Sequence, residues 1–152
     1  MKITITLPII PSPQMRARSY AANLGHGKYM ARTYKAPKQA QYENQLMQLL
    51  ADAAPAIPVD EAISLTVIAV LPVPSSWSKK KKDMAISGAI RPVGKPDLDN
   101  LVKNIKDCMT NLSFWKDDSR VCTIHANKIY GVKPCWKISM LWGNELTMDD
   151  FK

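Results

Sequence analysis

Residues 95–112 read KPDLDNLVKNIKDCMTNL, and the spacing of apolar side chains here is the clearest structural signal in the chain. Leu98, Leu101, Val102, Ile105, Cys108, Met109 and Leu112 recur at steps of three and four, so they share one face of a helix. A helix this one-sided must pack its apolar face on another element. The neighbouring segments offer one. AISLTVIAVLPVP (62–74) is a β-branched apolar run bounded by prolines and reads as a well-buried strand. VCTIHANKIY (121–130) and PCWKISMLW (134–142) are two further strands joined by a turn at GVK (131–133).

Farther out, KITITLP (2–8) alternates with period two and is ended by prolines at 8 and 11, so it reads as a first strand. Residues 12–36 are polar, basic and aromatic around GHGK, and read as a long loop or loose hairpin. PKQAQYENQLMQLLADA (37–53) is rich in helix formers, with Tyr42, Leu46, Leu49 and Leu50 near one face. SSWSKKKKDMAISGA (75–89) places four lysines at the start of a short helix, and IRPVGKP (90–96) is an extended linker. The order β-α-β-α-β-β predicts an α/β fold, one compact domain over 1–152. Its four-stranded sheet is mixed or antiparallel, with helices packed mainly on one face.

At 152 residues the chain can bury a real core, and 46% apolar with 22% charged residues is ordinary for a folded soluble protein. No apolar run reaches the roughly 18 residues of a membrane span. The first residues lack the apolar core and cleavage site of a secretion signal, so a cytoplasmic location is expected, with no membrane partner. Cys108, Cys122 and Cys135 are odd in number and widely spaced, which argues against a disulfide framework or a Cys-x-x-Cys zinc site. The net charge of +8 is uneven. Residues 1–96 hold 13 Lys and Arg against 5 Asp and Glu, while residues 97–152 hold 8 of each. Six basic residues and no acid lie between Arg16 and Lys38. A one-sided excess suits a polyanion, and it equally describes a merely basic soluble protein.

Against that background the acids are informative. Two residues apart on a helix, Asp97 and Asp99 would diverge by about 200°. If the chain is extended through Asp97 and helical from near Asp99, the two carboxylates can converge at a helix N-terminus, where negative charge is favoured. Helix capping alone is the competing account. Asp117 and Asp118 precede a strand, where adjacent side chains diverge, so one of them at most is expected in a site; a plain turn is the alternative. Lys103 stands four residues from both Asp99 and Asp107, either in an i,i+4 ion-pair ladder or as a cation for a scissile phosphate. Oxygen donors without Cys or His at ligand spacing indicate Mg²⁺, with Mn²⁺ able to substitute, rather than zinc. Such an ion polarises a phosphodiester and activates water. His26, in the basic loop, and His125, on the polar side of a strand, are read as incidental to the site.

KPDLDNLVKNIKD, then FWKDDSRV, then a strand carrying NKIY, resembles the RusA-type Holliday-junction resolvases. LPVPSSWSKKKK and ITITLPIIPSP are similar to the family's segments upstream, and SPQMRARSY departs from members with an asparagine soon after the first prolines. The resemblance implies a homodimeric, Mg²⁺-dependent endonuclease that nicks two like-polarity strands of a four-way DNA junction. On that resemblance Asp97, Asp99 and Asp118 are the metal-binding catalytic carboxylates and Lys103 the essential lysine, with Asn100 and Asp117 accessory. Arg16, Arg18, Lys79, Lys80, Lys81, Lys82 and Lys95 are candidate phosphate contacts. Tyr20, Tyr29, Tyr34 and Trp77 are candidates for stacking on bases, or for packing. Two other classes are open: a branched-DNA-binding module without catalysis, and a nucleotide-sugar transferase. The second lacks a nucleotide-sugar domain and has no use for the basic charge.

Overall fold

The computed structural model describes residues 1–15 and 18–151. Its elements are β1 (Lys2–Leu7), β2 (Arg18–Asn23), β3 (Tyr29–Tyr34), α1 (Pro37–Ala51), β4 (Ile63–Pro72), α2 (Lys79–Ile86), α3 (Leu98–Asn111), β5 (Val121–Gly131) and β6 (Cys135–Trp142). Short 3-10 turns occupy 118–120, 143–145 and 148–151. The main sheet has the order β1-β6-β4-β5, and β2 and β3 form a separate antiparallel ribbon. In the main sheet β1–β6 and β6–β4 are antiparallel, whereas β4 and β5 are parallel. The mixed four-stranded α/β architecture matches the expectation, and within 12–36 the hairpin reading holds over residues 18–34.

The GVK turn joins β5 to β6, yet the two strands are not neighbours, because β4 lies between them. The link at 132–134 therefore spans the end of β4, which Pro72 and Pro74 prevent from continuing. At this crossing Gly131 has no room for a side chain, since a Cβ there would run into Val70.

Register assigns the two faces of the sheet. Leu65, Val67 and Ala69 of β4 lie opposite Met140, Ile138 and Trp136 of β6, and Ile5 of β1 lies opposite Ile138. All are buried in one cluster with Leu46 and Leu50 of α1 and Leu101, Ile105, Cys108 and Met109 of α3. Full burial of each large aliphatic contributes about 1.5–3 kcal/mol, so the stripe on α3 is a principal stabilising contact. Phe114 and Trp115, just after α3, close the same core. The face read for α1 is narrower than expected. Leu46 and Leu50 are buried, Tyr42 is partly buried, and Leu49 is 42% exposed. Tyr42 uses its hydroxyl instead: it donates to Ile10 O (2.8 Å) and accepts from Ser12 N and Trp136 Nε1 (3.0 Å each).

The three cysteines are free, with Cys108 and Cys135 buried and Cys122 exposed. Burial, and then the nearby Glu43 and Asp107 carboxylates, push the Cys108 thiol up to about 12. Native protein at pH 8 is accordingly expected to react with an aromatic disulfide reagent at Cys122 within minutes and at the other two only on unfolding; rapid loss of all three thiols would contradict this packing. In urea titrations Ile105→Ala should cost about 2–5 kcal/mol. Leu49→Ala, at an exposed position, should stay within about 1 kcal/mol.

Candidate active site

The parallel pairing of β4 with β5 requires a crossover, and α2 and α3 supply it. The chain is extended at Asp97 (φ −70°, ψ 137°) and helical from Leu98, after a cis Lys95–Pro96 bond. Asp97 occupies the N-cap position without making a side-chain cap hydrogen bond, and Asp99 lies in the first turn. Both are exposed. Capping by the Asp97 carboxylate is thus not what occupies it, although the helix dipole still favours both charges.

Two elements hold this turn from below. Lys128 of β5 donates from Nζ to Gly94 O (2.6 Å) and Pro96 O (2.9 Å), tying the loop before α3 to the sheet edge. On another side, residues 12–14 run along α3. Gln14 N donates to Asn100 O (3.1 Å), Asn104 Nδ2 to Ser12 O (2.9 Å) and Gln14 Nε2 to Asp107 Oδ2 (2.5 Å). Asn104 is fully buried, and its Oδ1 has no partner among the described residues.

A cavity of about 660 Å³ runs along α3 and is lined by Leu98, Asp99, Val102, Lys103, Lys106, Asp107, Asp118 and Ala126. Asp97 lies outside it. With Lys95, Asn100 and residues 13–15 it lines a second cavity of about 540 Å³. Asp97 and Asp99 do not line one cavity together, although the backbone, extended at Asp97 and helical from Leu98, is the arrangement under which their convergence is expected. Asp118 shares the groove with Asp99 but meets Lys106 (Nζ to Oδ2, 3.8 Å), seven residues and about 10 Å of helix rise beyond Asp99. Lys103 forms no ion pair among the described residues, so the i,i+4 ladder is absent, and Asp107 is taken by Gln14. The two members of the acidic pair differ, through a 3-10 turn at 118–120 rather than through the strand alternation expected, since β5 begins only at Val121. Asp117 caps the 3-10 turn by accepting from Ser119 N (2.9 Å), while Asp118 lines the groove. Hydrogen bonds from Ser119 hold the Asp117 carboxyl below its ordinary value.

The donors around α3 are carboxylates and backbone oxygens, which suit a hard divalent cation. Among the described residues, however, no three His, Cys, Asp or Glu side chains stand together as a metal-binding group. The arrangement brings three acids, Asp99, Asp107 and Asp118, and two lysines to one groove, and leaves Asp97 in the neighbouring cavity.

Of the candidate phosphate contacts, Arg16 lies outside the described residues. Arg18 is exposed on β2, and Lys95 is exposed beside Asp97. Lys79–Lys82 open α2, whose Ser78 cap accepts from Lys81 N (3.3 Å). Lys81 also sits 4.0 Å over the Trp77 ring, which packs edge-on against Tyr130 (5.4 Å). Trp77 is therefore a packing residue that presents a lysine.

Three residues went unnoticed in sequence. Lys106 was findable, since it follows Lys103 at helical spacing. Lys128 and Asp60 were not, because their partners are far along the chain. Asp60 accepts from Lys116 Nζ (2.9 Å) and Arg120 Nε (2.8 Å), which flank the turn bearing Asp117 and Asp118. Those two hydrogen bonds, Lys116 first, hold the Asp60 carboxyl below its ordinary value. Backbone bonds from Val59 N to Phe114 O and Lys116 N to Val59 O complete the staple. Asp60→Ala is expected to leave the urea midpoint nearly unchanged, as for exposed pairs, and to speed amide exchange at Ser119 and Arg120. Unchanged exchange there would show that the turn stands without Asp60.

Residues 8–140 match the family described as Endodeoxyribonuclease RusA. An uncharacterized Bacillus subtilis (strain 168) protein, YqaN, is 38% identical over 101 residues, 64% of this chain and 70% of the relative. A Lactococcus phage r1t protein named crossover junction endodeoxyribonuclease rusA is 49% identical over 35 residues, 23% of this chain and 27% of its own. With most of its length matched, and with acids and lysines lining a groove on the helix that crosses between two parallel strands, the chain belongs to the RusA endodeoxyribonuclease family.

Proposed function

We propose that the groove along α3 is the active site of a Mg²⁺-dependent, homodimeric resolvase that makes paired nicks in like-polarity strands of a four-way DNA junction. The family makes the chain an endodeoxyribonuclease, and nucleases of this family are metal-dependent. The observation that carries the reading is the groove itself, which Asp99, Asp107 and Asp118 line together with Lys103 and Lys106.

Carboxylates alone would repel a phosphodiester; lysines alone would bind it without chemistry. Lys103, exposed and unpaired among the described residues, can meet a non-bridging phosphate oxygen and stabilise the charge that develops there. Lys106 balances Asp118 until substrate arrives. On the family pattern Asp97, Asp99 and Asp118 would hold the cation, which requires their side chains to draw in around it, because they do not stand together as a group among the described residues. When bound, the ion supplies polarisation of the phosphodiester and activation of a water. The lysines of α2 and Lys95 fix the backbone of the DNA without reading sequence. Two-fold symmetry would give two equivalent sites for two equivalent strands. The place for such work is the cytoplasm, where the DNA is, and no helix among the described residues is long and apolar enough to cross a membrane.

Incubating pure protein with a synthetic four-way junction, a duplex and a flap, with and without Mg²⁺, tests the reading. Paired nicks leaving 5′-phosphate and 3′-hydroxyl ends on the junction, and none in chelator, are expected. Binding without cleavage in any metal would instead favour the non-catalytic module. Asp97→Asn, Asp99→Asn and Asp118→Asn should each abolish nicking while junction binding persists or tightens; residual metal-dependent nicking in any of them removes that residue from the metal set. Lys103→Ala should reduce turnover with folding intact by circular dichroism. Replacing Lys79–Lys82 with glutamine should weaken all branched substrates and flatten the salt dependence, and an unchanged slope would take α2 out of the DNA path.

A further inference from the structure

The β2–β3 ribbon is an unusual element to leave uncovered. Every residue of its two strands except Ala22 is exposed. An isolated two-stranded ribbon is marginal in water, so one of its faces has reason to meet a partner.

Register identifies which face. Directly opposed residues share a side, and the pairs Arg18–Tyr34, Tyr20–Arg32 and Ala22–Met30 alternate with Ser19–Thr33, Ala21–Ala31 and Asn23–Tyr29. Both arginines thus lie with Tyr20 and Tyr34 on one side, while the other side is mostly small. The two rings confirm the grouping by an edge contact at 6.0 Å, and they remain 51% and 46% exposed. No acid occurs between Arg16 and Lys38. The ribbon is also tethered to the catalytic framework. Lys35, just after β3, donates to Glu43 of α1 (2.7 Å), and Gln39 accepts from Met15 N (3.4 Å). Residues 12–14 are bonded to α3 itself.

We propose that the Arg18–Tyr20–Arg32–Tyr34 face of the ribbon lies on the branch point of the DNA, guanidinium groups on phosphates and tyrosine rings on bases that the branch leaves unstacked. This rests on the junction-nuclease reading for its substrate and adds the surface that distinguishes a branch from a duplex. A second copy of the chain is the less suitable occupant, because the face carries cations with no acid to answer them. Arginine on phosphate accounts for affinity, and aromatic stacking for preference, since only unstacked bases offer a free face.

Fluorescence anisotropy with a labelled four-way junction and a linear duplex of equal length tests this at two salt concentrations. Tyr20→Ala/Tyr34→Ala should lose about tenfold or more on the junction and under about twofold on the duplex. Tyr20→Phe/Tyr34→Phe, which keeps the rings and guards against a folding artefact, should stay near wild type. Arg18→Ala/Arg32→Ala should weaken both DNAs and lower the salt slope by about two. Ser19→Ala/Thr33→Ala, on the opposite side, should change neither. Junction affinity unchanged in the Tyr→Ala pair overturns the proposal, as does loss of self-association in sedimentation with DNA binding restored at high protein concentration. Failure of the wild type to cleave any branched DNA would sink the nuclease reading alone, because the binding comparison still decides the ribbon.

Discussion

Parallel pairing between β4 and β5 is the constraint from which the site follows. Two parallel neighbours cannot be joined by a tight turn, so the chain must travel back along the sheet before β5 begins. α3 is the main part of that return. Its buried stripe of Leu101, Ile105, Cys108 and Met109 fixes it against the sheet, and the opposite flank is left to line a groove. One packing decision therefore places both the helix start, with Asp97 and Asp99, and the entry to β5, with Asp118.

Around this frame the polar contacts are local restraints on the loops that carry charge. Lys128 holds the turn before α3 through two carbonyls, and Asp60 bridges the two cations that flank the second acidic turn. A third set joins residues 12–15 to α1 and α3. Glu43 is part of it: burial raises its carboxyl, but hydrogen bonds from Gln39 and Lys35 outweigh that and leave it below its ordinary value. Each restraint links segments far apart in sequence. They supply little global stability at the surface and a good deal of positional definition.

The electrostatic layout has two zones. The acids of the groove are interleaved with Lys103 and Lys106, whereas the ribbon and α2 carry cations almost unopposed. A polyanion would be held by the second zone and presented to the first. Lys81 shows how the two roles of a residue can coexist, since its ammonium rests on Trp77 and still faces outward.

What the sequence determined by itself was whatever depends on short-range periodicity. The step of three and four on α3 defined its buried face, and the β-branched run at 63–72 announced an internal strand. Only tertiary structure decided the rest. Leu49 fell outside the core because the width of a buried helix face is set by what packs on it. β6 passed to the far side of β4, a choice that a three-residue link does not encode. The partners of Asp60 and Lys128 depended on contacts between distant segments. Such contacts exist only once the chain has closed on itself, so no local pattern in the chain could carry them.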